Sequence, residues 1–199
     1  MTTLAIDKST SRASIALAKD GAIAEISFED RGKGGEWVGI LLKFLAEHGI
    51  HTASIDRFII GMGPGSFAGT RAALAFAQGA VAAAANSAPH RTPAVYGLPS
   101  GAGCTEDGLK TAVIGDARRG LYWVNLWDGA NEVEPCHLAS ALSIPAGFAV
   151  KTSDYARIGA RTGAQECPPS AKRLVEVAAA NPAALVQEPL PIYLSPAVR

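Results

Sequence analysis

Apolar and polar positions alternate with period two through the first part of the chain. "TLAID" (3–7) is an apolar run that ends in an acid. "ASIALA" (13–18) then sets Ile15 and Leu17 on one face, and Asp20-Gly21 is a two-residue hairpin signal before "AIAEISF". This predicts a three-stranded meander. The same pattern returns further along, where "TAVIGD" ends at Asp116 and a turn carries Arg118, Arg119 and Gly120. In "LYWVNLW", Leu121, Trp123, Asn125 and Trp127 alternate with Tyr122, Val124 and Leu126, and Asp128-Gly129 closes the next hairpin. Repetition at half the chain length, with acids and turns in matching places, predicts two lobes of related topology rather than a solenoid.

Between the meanders the period changes. After a lead-in with Gly32, Gly34 and Gly35, the residues Trp37, Leu41, Phe44 and His48 fall on one helical stripe. Val38, Leu42 and Leu45 make a second stripe, so this helix is apolar over a wider arc than a one-sided surface helix needs. "RFIIGM" has the continuous hydrophobicity of a parallel strand buried on both faces, "GPGS" turns, and a helix is expected from about Phe67 to Asn86. The order β-β-β-α-β-α is therefore readable for the first lobe. Residues 87 to 108, rich in Pro, Gly and Ser, read as a connector with at most a short helix. Beyond the second meander, 144–153 offers one strand, 170–181 one helix and 190–199 a last extended segment. The expected fold class is α/β, with a first lobe over 1–95, a connector over 96–110 and an abbreviated second lobe over 111–199.

Composition narrows the function classes. The 199 residues carry 18 basic and 18 acidic side chains, with no block of like charge. A chain that gripped nucleic acid alone would need a basic patch, so any contact with RNA is expected only through a larger assembly. Cys104, Cys136 and Cys167 are widely spaced and form no CxxC, which fits a reducing compartment and neither a disulfide framework nor a zinc knuckle. The first residues lack the apolar core of a signal peptide, and the alanine-rich stretch 72–85 is too short for a membrane span. A cytoplasmic protein is expected.

The chemistry turns on the loop "GMGPGSFAGTR" (61–71). A phosphate cradle would use free amides at the helix start, but Gly69 is followed by Thr70-Arg71 where a P-loop requires Lys-Ser/Thr. A nucleophile elbow would need Gly-x-Ser-x-Gly, whereas two residues separate Ser66 from the next glycine. Nor are the four histidines placed for a triad: His48 and His51 sit at a helix end, His90 in the connector and His137 near a strand end. Packing remains. Ser66 reads as an N-cap, and Gly69, Ala72, Ala73, Ala77, Gly79, Ala80 and Ala83 leave a helix surface almost free of side chains, open to close approach by another backbone. Arg71 and Gln78, seven apart, mark one polar stripe on it. An exposed patch of this kind marks a partner site.

At "LAIDKSTSRASIAL", "GMGPGSFAGTRAALAFAQG", "VIGDARRGLYWVNL" and "PIYLSP" the chain resembles the TsaB family, formerly YeaZ. The resemblance is good over residues 3 to about 127 and poor beyond, apart from the end of the chain. It implies the actin/Hsp70/sugar-kinase fold, RNase H-like in each lobe. It also implies a non-catalytic subunit of the bacterial machinery that makes N6-threonylcarbamoyladenosine in tRNA. The implied partners are the catalytic paralogue TsaD, the ATPase TsaE, a second copy of the chain when it is alone, and tRNA only through the complex. No cofactor or metal is implied, because the helix after the first meander lacks the histidines that hold the metal in TsaD. The chain departs from the family pattern at Lys8, at Glu36-Trp37, at Ala68 and in its shorter second lobe.

Three functions compete on these residues. In the scaffold reading, Trp37, Leu41, Phe44, Gly69, Arg71, Ala72, Ala73 and Gln78 form the partner interface. In the enzymatic reading, an ATP-dependent phosphotransferase or hydrolase, Asp7 and Asp116 face each other across a cleft around Mg-nucleotide, with Arg118 and Arg119 near phosphate. Against it, both aspartates can simply cap turns. The third reading is a homodimeric binding module acting alone.

Overall fold

The computed structural model of the chain describes residues 1–30, 35–87 and 92–194. Gly32, Gly34, His90 and the last five residues of the sequence lie outside them.

β1 (Thr3–Asp7), β2 (Arg12–Lys19) and β3 (Ala22–Glu29) form the first meander, joined at Asp20-Gly21, both with positive φ. α1 (Glu36–Glu47) leads to β4 (Arg57–Gly61), and α2 (Phe67–Ser87) to β5 (Ala94–Leu98). After a 3₁₀ turn at Ser100–Cys104 the second meander follows: β6 (Lys110–Arg118), β7 (Leu121–Asp128) and β8 (Asn131–Ala139). Then come β9 (Ala149–Thr152), a π turn (Tyr155–Gly159) running into the single turn α3 (Ala160–Thr162), β10 (Gln165–Glu166), α4 (Ala171–Ala180) and β11 (Val186–Gln187).

The first sheet has the order β11-β5-β4-β1-β2-β3 and the second β10-β9-β6-β7-β8. Without β11, the two orders are the same: an antiparallel meander extended from its first strand by parallel strands. The second copy carries no helix in the position of α1 and only the π turn and α3 in that of α2. It is the abbreviated lobe that its weak periodicity predicts.

Two features differ from the sequence reading. The segment 87–108, expected to be a connector, contains β5, which pairs in parallel with β4 from Arg57↔Ala94 to Gly61↔Leu98. Flanking Pro93 and Pro99 disguise a strand of only five residues. The second hairpin also turns one residue later than its Asp-Gly suggests. Asp128 is the last strand residue, opposite Asn131, and Gly129, with φ of 57°, takes the turn.

Side-chain alternation sorts the core into layers. Leu4, Ile6, Ile15, Leu17, Phe58 and Ile60 point to α1 and α2, where Trp37, Leu41, Phe44, Leu45, Ala73, Leu74 and Ala77 meet them. From the opposite face, Ala5, Ala16 and Ile59 meet α4 together with Val113, Trp123 and Trp127 of the second sheet. α4 thus lies between the sheets. Its N-terminus is fixed from the first sheet: the Ala171 amide donates to Ser14 Oγ at 2.8 Å and the Lys172 amide to Glu25 at 3.0 Å. Asn125 is wholly buried beside the tryptophans, yet satisfied. It accepts from Trp127 Nε1 at 2.7 Å and donates to Glu132 and to the Glu134 carbonyl.

Candidate functional site

The turn after β1 and the loop after β4 lie side by side, and their backbones touch. Ser66 N–H donates to the Ser9 carbonyl at 2.6 Å. A Cβ on Gly65 would come within 2.1 Å of that carbonyl, and one on Gly69 within 2.0 Å of the Lys8 carbonyl. Both glycines exist because backbone occupies the space a side chain would need. Ser66 is the expected cap, its hydroxyl accepting from the Gly69 amide at 3.2 Å. The amides of Ser66 and Gly69 are therefore engaged within the chain, which argues against an anion cradle at this helix start.

Asp7 ends β1 completely buried. Its Oδ1 accepts from the Ser9 amide at 2.9 Å and the Ser9 hydroxyl at 2.7 Å, a turn-capping role. Oδ2 has no well-formed hydrogen bond; the Ser100 hydroxyl beside it accepts from the Gly63 amide at 2.9 Å and keeps its proton free to turn toward the carboxyl. Burial pushes the Asp7 carboxyl above its ordinary range, against the opposing pull of Ser100 and Ser9.

Between the lobes runs a cleft of about 740 Å³. One wall carries the hydroxyls of Ser9, Thr10, Ser11 and Ser66; the other carries Asp116, Arg118, Asp154 and Arg157. Asp116 accepts from the Arg118 amide at 2.8 Å and lies 3.7 Å from Arg157, while its own amide donates to Asp154 at 3.1 Å. Arg118, Arg119 and Gly120 all have positive φ, so this turn is held in a conformation that arginine seldom adopts. The structure brings Asp116 and Arg118 to the cleft, but Asp7 is sealed beneath its floor and does not line it. No group of three or more metal-ligating side chains occurs among the described residues.

The expected interface residues divide. Trp37, Leu41, Phe44 and Ala73 are buried in the chain's own core, and Gly69 is buried against the Lys8 carbonyl. These five are corrected from partner contacts to internal packing: Trp37, Leu41, Phe44 and Leu45 of α1 are spent on the sheet and on α2, while Leu42 of the second stripe stays 48% exposed. Ala72 is half-buried, whereas Arg71 and Gln78 are exposed. The outward stripe of α2 consists of Ala68, Arg71, Ala75, Gln78, Gly79 and Ala82. Ala68, Ala75 and Ala82 are not among the expected interface residues, although Arg71 and Gln78 mark the phase that contains them. At the helix start Phe67, 50% exposed, meets the Tyr193 ring at a centroid distance of 5.2 Å, tilted by 49°, and the Arg71 guanidinium lies 4.9 Å from the Phe67 ring.

Asp154, Tyr155, Arg157 and Glu166 also line the cleft, and periodicity does not single them out because they lie where it fades. The one available signal was Asp154, an acid two residues beyond a short apolar strand, as at the strand ends that flagged Asp7 and Asp116. Two departures from the family pattern turn out to be neighbours. Lys8 is buried, pairs with Asp30, and sits 4.8 Å from the centre of the Trp37 ring.

No family model matches the chain. A stretch of 108 residues is 33% identical to uncharacterized proteins of Mycobacterium bovis and Mycobacterium tuberculosis. It spans 51% of this chain and 46% of theirs, so the match reaches about half the length of those relatives. Two solved structures from Pseudomonas aeruginosa superpose over nearly the whole chain. One, an uncharacterized protein with similarity to peptidase YeaZ, has a TM-score of 0.77 at 20% identity and covers 98% of this chain and 99% of its own. The other, YeaZ, has a TM-score of 0.73 at 21% identity and covers 97% and 99%. No helix among the described residues is long and apolar enough to cross a membrane. With two lobes, two sheets and four helices among the described residues, the chain has the fold of YeaZ.

Proposed function

We propose that this chain is a TsaB-type scaffold subunit that supports tRNA N6-threonylcarbamoyladenosine synthesis by binding a TsaD-like catalytic paralogue in the cytoplasm. A TsaE-like ATPase and tRNA would join through that complex, and a second copy of the chain would occupy the same face when the partner is absent. One observation carries the reading: the outward stripe of α2 is exposed and mostly alanine and glycine, with an exposed Phe67–Tyr193–Arg71 cluster at its end. Exposed aromatic and arginine side chains are the anchors of contact surfaces, and the alanines and glycine beside them leave room for another backbone to approach. Co-expression with the TsaD-like protein of the same genome tests it. A stable complex is expected, and separate elution at micromolar concentration would reject the assignment.

The cleft favours a second reading, in which Asp116 and Arg118 hold an anionic nucleotide. Asp7 speaks against it, because a buried carboxyl that caps a turn is not placed to hold a cation in the cleft. Calorimetric titration with Mg-nucleotide separates the two: tight binding abolished by Asp116→Asn or Arg118→Ala, both on the cleft wall, would favour the enzyme.

A further inference from the structure

Cys104 closes the 3₁₀ turn that crosses from the first sheet to the second, and Cys167 follows β10. They are 63 residues apart, yet their backbones are fastened to the same strand. The Cys167 amide donates to the Thr152 carbonyl at 2.8 Å, and Lys151 Nζ donates to the Cys104 carbonyl at 2.9 Å. Gly103 brings the two segments together, for its carbonyl accepts from the Ser170 amide at 3.0 Å, and a Cβ there would stand 2.8 Å from that nitrogen. The thiols cross in this gap. Cys104 Sγ donates to the Cys167 carbonyl at 3.1 Å, and Cys167 Sγ reaches the Cys104 carbonyl at 4.0 Å.

The two sulfurs are not equivalent. Cys104 is 1% exposed and Cys167 is half-buried, so only the second is open to a solute. The Lys151 ammonium, itself 3% exposed, sits beside them and pairs with Glu106. When the Cys104 thiol turns its proton from the Cys167 carbonyl to the Cys167 sulfur, that bond, aided by Lys151 and opposed by burial, lowers the Cys167 pKa to about 7, while it and burial raise that of Cys104. The third thiol, Cys136, has no such neighbour, and burial pushes it up to about 12.

We propose that Cys104 and Cys167 form a peroxide-responsive dithiol, in which Cys167 is the attacking and Cys104 the resolving thiol. The Cys167 thiolate attacks one oxygen of a hydroperoxide. The O–O bond breaks, sulfur is oxidised to sulfenic acid, and the other oxygen leaves as water or alcohol once protonated. Cys104 sulfur then attacks the sulfenic sulfur. The S–O bond breaks, water leaves with the Cys104 proton, and the disulfide forms. This bond would staple the inter-sheet crossover to the segment entering α4, at the joint that sets the two sheets against each other. It is independent of the scaffold assignment.

The test uses the full-length chain with equimolar hydrogen peroxide, followed by alkylation and non-reducing peptide mapping. A Cys104–Cys167 cross-link with Cys136 still alkylated is expected, and closing this long loop should raise Tm by about 5–15 °C. Cys104→Ser should stop at a sulfenic acid on Cys167 that dimedone traps, and Cys167→Ser should leave Cys104 unreacted. In the wild-type chain the rate should rise with pH through about 7. Full alkylation of all three thiols after peroxide, or a cross-link through Cys136, would overturn the proposal.

Discussion

Gly69→Ala tests whether the glycine loop exists for close backbone approach. In an ordinary helix this change stabilises by about 1 kcal/mol, because alanine loses less backbone entropy. Here the new methyl would stand 2.0 Å from the Lys8 carbonyl oxygen and 3.1 Å from Ser66 Oγ. The carbonyl cannot swing aside cheaply. Its turn is tied by the Asp7–Ser9 bonds and by Ser66 N–H to the Ser9 carbonyl, and the Lys8 side chain is held by Asp30 and Trp37. Relief must come from shifting α2 by more than an ångström, and overpacking of this kind costs about 3 kcal/mol or slightly more. The net loss is then about 2 kcal/mol, or roughly 4–8 °C in Tm for a domain of this size. Gly79 is the internal control. It lies on the same helix with nothing within 4 Å of a built Cβ, so Gly79→Ala should gain about 0.5–1 kcal/mol. Thermal and urea unfolding of both variants measure the difference. Equal stability of the two would refute the reasoning, since propensity alone would then explain both.

Other predictions follow from the buried polar groups. Burial raises the Asp7 pKa, so the folded state prefers the protonated acid, and ionising it costs stability as pH rises from the unfolded value through the folded one. Asp7→Asn keeps the acceptor for Ser9 and removes the charge; it should be the more stable protein at neutral pH, with a flatter stability-versus-pH curve, and a loss of stability there would contradict this account. Asn125→Ala strands the Trp127 indole N–H in the core and should cost about 1–3 kcal/mol in urea titrations. An unchanged midpoint would mean that water replaces the amide.

Much of the fold is legible along the chain because its strands are buried on alternating faces. Ile15 and Leu17 point to the helices while Ala16 points to α4, and Trp123 and Trp127 face the other sheet from Val124 and Leu126. Such positions announce themselves by period. Ser66 as a cap is equally local. β5 is not legible, because five residues between prolines carry too little pattern, and its pairing with β4 is a long-range event. The placement of α4 between the sheets depends on Ser14 and Glu25, far away in sequence. The phase of α2 is not legible either. Alanine is tolerated on every face of a helix, so burial of Ala73 and exposure of Ala75 leave almost no trace in composition. The cleft wall at 153–157 stayed hidden because a π turn has no apolar period of its own.

The central claim is that the exposed stripe of α2 receives a partner polypeptide. Its most direct measurement is the affinity of the chain for the TsaD-like protein proposed as its partner, compared between wild type, Ala75→Arg and, as a distant surface control, Val133→Arg on β8. Ala75→Arg should weaken binding roughly ten- to hundredfold, the effect of about 1–3 kcal/mol of overpacking at a close helix contact, while leaving Tm unchanged and the control unaffected. Unaltered affinity in the Ala75→Arg protein would contradict the account.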